Sequence, residues 1–206
     1  MMLRLFYSTG SCALASHIAL EEAGAEYEAI RMDLRAGDQH KPEFLELNPK
    51  GRVPALVTNM GVLTENLSIL AFIAQLFPDA QLAPSDPFGF GQVQAFNGYL
   101  ASTVHVAHAH GPRASRWADD PAAQAAMREK VADNMATCFQ LIEDEMFVGP
   151  WVMGEQYTIC DPYLFTIASW LDDDGVDPSQ FPKISEHMVR MIARPAVWKA
   201  LAMENA

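Results

Sequence analysis

The sequence predicts a small α/β unit followed by an all-helical half. Two observations carry that reading. Strand and helix signals alternate through about the first 80 residues, and every segment after a proline-containing stretch at 82–87 has helical character. A length of 206 residues, half of them apolar, is enough for one generous domain or two small ones. The expected division is residues 1–80 and residues 88–206.

The elements follow in order. Leu3–Tyr7 alternates and is rich in aromatics, so it is the first strand, and Ser8-Thr-Gly-Ser11 is a turn. Residues 12–23 form a helix, with Leu14, Ile18 and Ala19 on one face and Glu21 and Glu22 on the other, stopped by Gly24. Residues 27–34 are a second strand, 35–40 a polar loop and 42–47 a short helix. Residues 53–57 are a third strand, opened by Pro54, and the turn at 59–61 leads to a fourth at 62–64. Proline is tolerated near a strand start but not in its middle. A helix over 66–77 ends at Pro78. The order βαβαββα, with a proline opening the third strand, is the thioredoxin-like arrangement. Beyond the linker, helices are expected at 90–110, 121–146, 160–171, 185–192 and from Pro195. In the second of these, Val131, Met135, Cys138, Phe139, Ile142 and Met146 keep the spacing of one helix face.

Composition excludes several classes of function. The net charge of −12 is spread along the chain, which argues against nucleic acid or an anionic membrane as partner. No stretch approaches the ~20 apolar residues of a membrane span. The small-x-small pattern Ala13-Leu14-Ala15 follows a short stretch broken by Arg4, Thr9 and Gly10, so no secretory leader is expected. Three widely spaced cysteines, Cys12, Cys138 and Cys160, fit neither a disulfide framework nor a metal site, and a cytoplasmic location is expected.

Three features point to chemistry. Cys12 stands between a strand and a helix, where backbone N–H groups and the helix dipole favour a thiolate; an inert buried cysteine is the alternative. Ala15 stands where a second cysteine would complete a CxxC pair, so a disulfide needs an external thiol. Val53-Pro54 could be a cis bond that presents the Val53 backbone as a free strand edge, or an ordinary trans turn. Glu65-Asn66 opens a helix, a place for an α-carboxylate and its ammonium, or simply a cap. A thiol partner, a peptide partner and an amino-acid partner together match the three groups of glutathione.

The chain resembles the bacterial beta class of glutathione transferases. The matching stretches are Tyr7-Ser-Thr-Gly-Ser-Cys-Ala-Leu14, His17-Ile-Ala-Leu-Glu-Glu-Ala-Gly24, Asp33-Leu-Arg35, Asn48-Pro-Lys-Gly-Arg-Val-Pro54, Leu63-Thr-Glu65 and Tyr157-Thr-Ile-Cys-Asp-Pro-Tyr-Leu-Phe165. The resemblance implies a thioredoxin-like domain followed by an all-helical domain, with glutathione as co-substrate, and a homodimer. It implies that Cys12 contacts the glutathione sulfur, that Val53 pairs with the cysteinyl backbone beside a cis Pro54, and that Glu65 and Asn66 hold the γ-glutamyl group. His105 matches a histidine that projects toward the thiol. Gly37, Gly98 and Val106 depart from the class, which has lysine, asparagine and lysine there; Arg52 is expected to compensate at the glycyl carboxylate.

The segment from His105 to Trp117 holds His105, His108, His110, Arg113 and Arg116. It leaves three readings open: a metal site, polar residues lining a cleft or dimer seam, and an anchor for an acidic co-substrate. No metal is expected, because no carboxylate lies nearby in sequence to complete a site. Thr158 and Asp161 read as a capping box, and Trp170 and Trp198 as core. The expected reaction is attack of the glutathione thiolate on a small, largely apolar electrophile. Ser11 or the Cys12 N–H would stabilise the thiolate, and His105 would donate a proton or act as a positive neighbour. The rivals are a thiol-transferase or lyase using Cys12 covalently, and a non-catalytic glutathione-binding protein.

Overall fold

The computed structural model describes residues 2–204; residues 1, 205 and 206, at the outer ends of the two expected domains, lie outside the described residues. Strands β1 (Leu3–Tyr7), β2 (Tyr27–Arg31), β3 (Ala55–Thr58) and β4 (Gly61–Thr64) form one sheet in the order β2-β1-β3-β4. β1 runs parallel to β2 and antiparallel to β3, and β3 and β4 make a hairpin. The helices of this half are α1 (Ala13–Glu22), α2 (Pro42–Leu47) and α3 (Asn66–Leu76). Alternation along β1 sorts its side chains: Leu3, Leu5 and Tyr7 join the main core, while Phe6 packs with Met32, Phe44 and Ala55 on the opposite face.

The second half contains α4 (Pro87–Tyr99), α5 (His105–Ala109), α6 (Pro121–Glu129), α7 (Val131–Leu141), α8 (Cys160–Ala168), α9 (Pro182–Ile192) and α10 (Pro195–Glu204). The main core runs unbroken from Leu5, Ile69 and Ile73 to Phe96, Phe139, Tyr163 and Leu164, so the two halves share it.

Several expected elements are revised. β2 ends at Arg31 rather than 34, because the Asp33 carboxylate accepts the N–H groups of Arg35 and Ala36 and folds the chain into a turn. β3 begins at Ala55, past Val53 and Pro54. α1 is not two-faced: Ala13 through Leu20 are all buried, since α3, α8 and α10 pack around it. Its acidic end is tied to the helical half, with Glu22 on Arg194 at 2.7 Å and Glu21 on Lys199 at 2.6 Å. The stretch at 82–87 is no free linker, because Leu82 is buried and its carbonyl accepts the Ile159 N–H.

The helix expected at 90–110 starts earlier, at Pro87, where Asp86 caps it by accepting the Gly89 N–H. It then widens into a π-helical turn at Leu100–Val104, immediately before His105. Ser102 contributes to the widening: its hydroxyl donates to the Gly98 carbonyl at 2.8 Å and competes with the backbone ladder. The helix expected at 121–146 breaks at Lys130 into α6 and α7 and ends in a second π turn at Ile142–Met146. α9 starts at Pro182 rather than 185. Trp198 is 63% exposed rather than core, because α10 buries Val197, Ala200 and Glu204 and position 198 lies off that face.

The capping box at Thr158 forms and reaches further than the local motif. The Asp161 carboxylate, fully buried, accepts the Thr158 N–H at 2.7 Å, the Val152 N–H at 2.9 Å and His187 Nε2 at 3.0 Å. One carboxylate therefore joins the start of α8, the loop before it and α9.

Candidate active site

The turn between β1 and α1 carries the thiol. Gly10 adopts φ +71, a left-handed conformation that side chains disfavour, and the Trp170 indole N–H donates to its carbonyl at 3.2 Å. The Gly10 N–H in turn donates to Glu204 at 3.2 Å, and the Thr9 hydroxyl donates to the Glu204 carbonyl at 2.8 Å. Ser11 is buried, and its hydroxyl oxygen accepts the Ala13 N–H at 3.3 Å. Cys12 caps the N-terminus of α1 and is half-buried.

The thiol faces Val53. Cys12 Sγ lies 3.9 Å from the Val53 carbonyl oxygen, and the Val53–Pro54 bond is cis. The β3 ladder starts two residues later, so Val53 stands outside the sheet's own pairing. Asn66 sits beside both: its Nδ2 donates to the Cys12 carbonyl at 3.0 Å, and its Oδ1 accepts the Ser16 hydroxyl. Its side chain thus joins the first turn of α3 to α1, and what it offers a ligand is its backbone N–H at the start of α3. Glu65 precedes it with φ 69, uncommon for a residue with a side chain, and such strain collects at ligand sites. The Glu65 carboxylate pairs with Lys50, whose ammonium also donates to Thr64 at 2.7 Å.

The electrostatics revise two expectations. Burial pushes the Cys12 thiol up to about 11; the Arg113 guanidinium opposes that rise and Glu65 adds to it. Desolvation therefore outweighs the helix dipole, and Cys12 is a neutral thiol at pH 7. His105 moves the other way. Burial, then the charges of Arg113, His108, Arg116 and Arg52, lower it to about 4. His105 is neutral at pH 7 and is not a positive neighbour of the thiol.

The histidine-rich helix packs over this site. His105 lies 5.1 Å from the Trp170 ring centroid, and His108 stacks on the same ring at 4.3 Å. His108 Nδ1 pairs with Asp174 at 2.8 Å, a carboxylate 66 residues away in sequence. Among the described residues, no three histidine, cysteine, aspartate or glutamate side chains are grouped to hold a metal ion. Arg52 is exposed and Arg113 half-buried, and the charges of both reach His105.

The structure thus brings Ser11, Cys12, Val53, Pro54, Glu65 and Asn66 to one edge, with Arg52 beside Val53, while Trp170 links His105 to the Gly10 turn and the charges of Arg113 and Arg116 reach His105. Sequence reasoning missed Lys50, Trp170, Asp174 and Glu204. Lys50 lay inside the quoted Asn48–Pro54 motif, so it carried a signal. The other three act across long sequence separations that no local pattern reports.

Residues 1–75 match the family profile described as the glutathione S-transferase N-terminal domain, and residues 100–195 match the glutathione S-transferase C-terminal domain. Glutathione S-transferase GstA of Escherichia coli O157:H7 is 31% identical, with 98% of this chain and 99% of that one covered. Among solved structures, a glutathione transferase homologue from Sulfitobacter with bound glutathione is 42% identical, with a TM-score of 0.95 over 98% of each chain. A sphingomonad glutathione S-transferase complexed with glutathione is 31% identical, with a TM-score of 0.85 over 98% of each chain. With both domain profiles matched along a thioredoxin-like sheet and its helical partner, the chain belongs to the glutathione S-transferase family.

Proposed function

We propose that this glutathione transferase binds glutathione along the Cys12–Val53–Glu65 edge and adds its sulfur to a small electrophile with an apolar body. The observation that carries the reading is the meeting of a thiol, a strand edge outside the ladder and a helix N-terminus: Sγ of Cys12 is 3.9 Å from the Val53 oxygen, and Asn66 bonds the Cys12 carbonyl at 3.0 Å. The glutathione cysteinyl backbone pairs with Val53 beside Pro54. Its α-carboxylate takes the free N–H groups of α3, and its ammonium joins Lys50 at the Glu65 carboxylate. Arg52 grips the glycyl carboxylate.

A neutral Cys12 donates its S–H to the glutathione thiolate and does not attack. The Cys12 N–H and the Ser11 hydroxyl add polarity on the same side. A neutral His105 serves as a hydrogen-bonding partner of the reacting sulfur or the departing group, since a ring held at about 4 keeps one N–H at pH 7 but lacks the second, acidic proton of an imidazolium. The thiolate forms the new C–S bond as the electrophile's leaving group departs with its electron pair. We also assign residues 1–80 and 88–206 to the two domains, a homodimer as the working unit and the cytoplasm as its place. No helix among the described residues is long and apolar enough to cross a membrane.

The test is retention on immobilised glutathione, followed by assay with 1-chloro-2,4-dinitrobenzene. Conjugation should survive Cys12→Ala within about tenfold, the scale of one hydrogen bond in a transition state. Loss of both conjugation and disulfide exchange in Cys12→Ala would assign Cys12 a covalent role. Absence of any glutathione binding would end the proposal.

A further inference from the structure

We propose that the second substrate is an anion, an electrophile bearing a carboxylate, held by Arg113 and Arg116 on the helical wall of the cleft. This deepens the glutathione-conjugating function and rests on the glutathione site proposed above.

Three guanidinium groups, those of Arg52, Arg113 and Arg116, act together on His105. Arg113 stands on the turn after α5, its backbone N–H bonded to the Ala109 carbonyl at 3.0 Å, and Arg116 ends the short 3-10 turn Ala114–Arg116 that follows. Arg52 approaches from the other half, one residue before Val53. Burial lowers the Arg116 value most, and the charges of Arg113 and Arg52 lower it further, so the three lie within electrostatic reach of one another. Among the described residues, no acidic side chain forms an ion pair with any of them. The carboxylates bordering the cleft are engaged elsewhere, Glu65 with Lys50 and Asp174 with His108. In a chain with 26 acidic and 14 basic residues, an unpaired cluster of cations is out of keeping with the rest of the surface. Like charges held together without a counterion destabilise the fold, and a bound anion removes that cost.

Glutathione does not use up the cluster. Its α-carboxylate belongs at the start of α3, and Arg52, beside Val53, is placed for the glycyl carboxylate. Arg113 and Arg116 remain, on the same wall as His105. Of the charges that reach the Cys12 thiol, that of Arg113 lowers its value most. The electrophilic carbon must sit at the glutathione sulfur, which the proposed site puts beside that thiol, so a carboxylate on the same small molecule falls within reach of the arginines. A guanidinium fork grips a carboxylate through two parallel hydrogen bonds, and lysine does not reproduce that geometry.

The test uses two glutathione conjugates that differ in one group, S-(4-carboxybenzyl)glutathione and its neutral isostere S-(4-carbamoylbenzyl)glutathione, titrated calorimetrically at low salt. The carboxylate conjugate should bind at least about tenfold more tightly, the worth of one charge-assisted pair. Arg113→Ala with Arg116→Ala should bring the ratio to about one and leave the carbamoyl conjugate within about threefold, which also shows that the variant is folded. The double lysine variant should recover only part of the preference. Equal binding of the two conjugates by the unaltered protein overturns the inference. So does equal weakening of both in the double alanine variant, which would assign the arginines to the glycyl carboxylate. Turnover is read separately with 4-(chloromethyl)benzoate and 4-(chloromethyl)benzamide. In each, the glutathione sulfur bonds to the benzylic carbon, chloride leaves with the bonding pair, and the thiol proton goes to solvent. A carboxylate preference in binding without turnover of either compound supports the anion site and refutes the transferase reaction.

Discussion

Cys12 should behave as a poor nucleophile, and its alkylation by iodoacetamide measures this directly. The structure holds the thiol at about 11, against an ordinary value of 9.0. At pH 7 that leaves roughly one molecule in 10⁴ as thiolate, against roughly one in 10² for an unperturbed cysteine. The rate should therefore be about a hundredfold below that of an exposed cysteine, and it should still rise about tenfold per pH unit near pH 9. The slope is the informative quantity, because restricted access lowers the rate at every pH but does not change where it levels off. Peptide mass spectrometry after timed quenching separates Cys12 from the buried Cys138 and Cys160. Arg113→Ala should slow the reaction further, since the Arg113 charge is the largest influence lowering the thiol's value. A rate that levels off below about pH 8 would mean a thiolate at neutral pH. It would refute the argument that burial outweighs the helix dipole and restore Cys12 as an attacking group.

Two further expectations concern stability. Asp161→Ala removes the shared acceptor of two N–H groups and His187 in a fully buried site. It should cost about 3–5 kcal/mol, seen as a fall of about 10 °C in Tm by differential scanning calorimetry, whereas Thr158→Ala should cost about 1 kcal/mol. His105 should make the fold acid-sensitive. Its value falls from 6.5 in the unfolded chain to about 4 in the fold, so between those values the unfolded chain binds the extra proton. Stability should be unaffected by this group above about pH 6.5 and decline as the pH drops toward about 4. The loss is at most about 3 kcal/mol, reduced by the solvent reaching a half-buried ring. Denaturant melts of His105→Gln across that range should show a shallower decline, and an identical decline would remove His105 as its source.

What the sequence disclosed and what it withheld follow from the range of the forces involved. β1, the stop at Gly24 and the hairpin turn at 59–61 are written in neighbouring residues. So is the Thr158–Asp161 box, because a cap needs partners only three positions apart. The Glu65–Asn66 and Val53–Pro54 features were visible as motifs for the same reason, although local signals left cap and turn readings open beside the ligand reading. The break at Lys130 was not legible, because the residues on either side keep helical spacing. The charge states of Cys12 and His105 were hidden more deeply. The dipole at the start of α1 is local and argues for a thiolate, but the burial that overrides it comes from packing between the two halves. His108 appeared to lack a carboxylate because Asp174 lies 66 residues further on. Position 198 read as core since tryptophan usually is, and only the rotation of α10 turns it outward.

The thiol-bearing turn shows why the candidate site belongs to neither half alone. In sequence, Ser8 through Cys12 are part of the α/β unit, joined to β1 and α1. In space, Gly10 has both of its backbone groups held from the helical half: its carbonyl by Trp170, and its N–H by Glu204 near the end of α10. Trp170 also carries His105 and His108 on its faces, and Asp174, four residues on, fixes the orientation of His108. A single short segment after α8 thereby sets the position of the thiol-bearing turn and of the wall facing it. The proposed glutathione edge is built from residues that a family motif reveals, while Trp170 in that segment joins it to the opposing histidines. Selection of the electrophile is proposed to rest with Arg113 and Arg116, whereas Trp170 and Glu204, which hold the thiol-bearing turn, tie the helical half to the proposed glutathione edge as well.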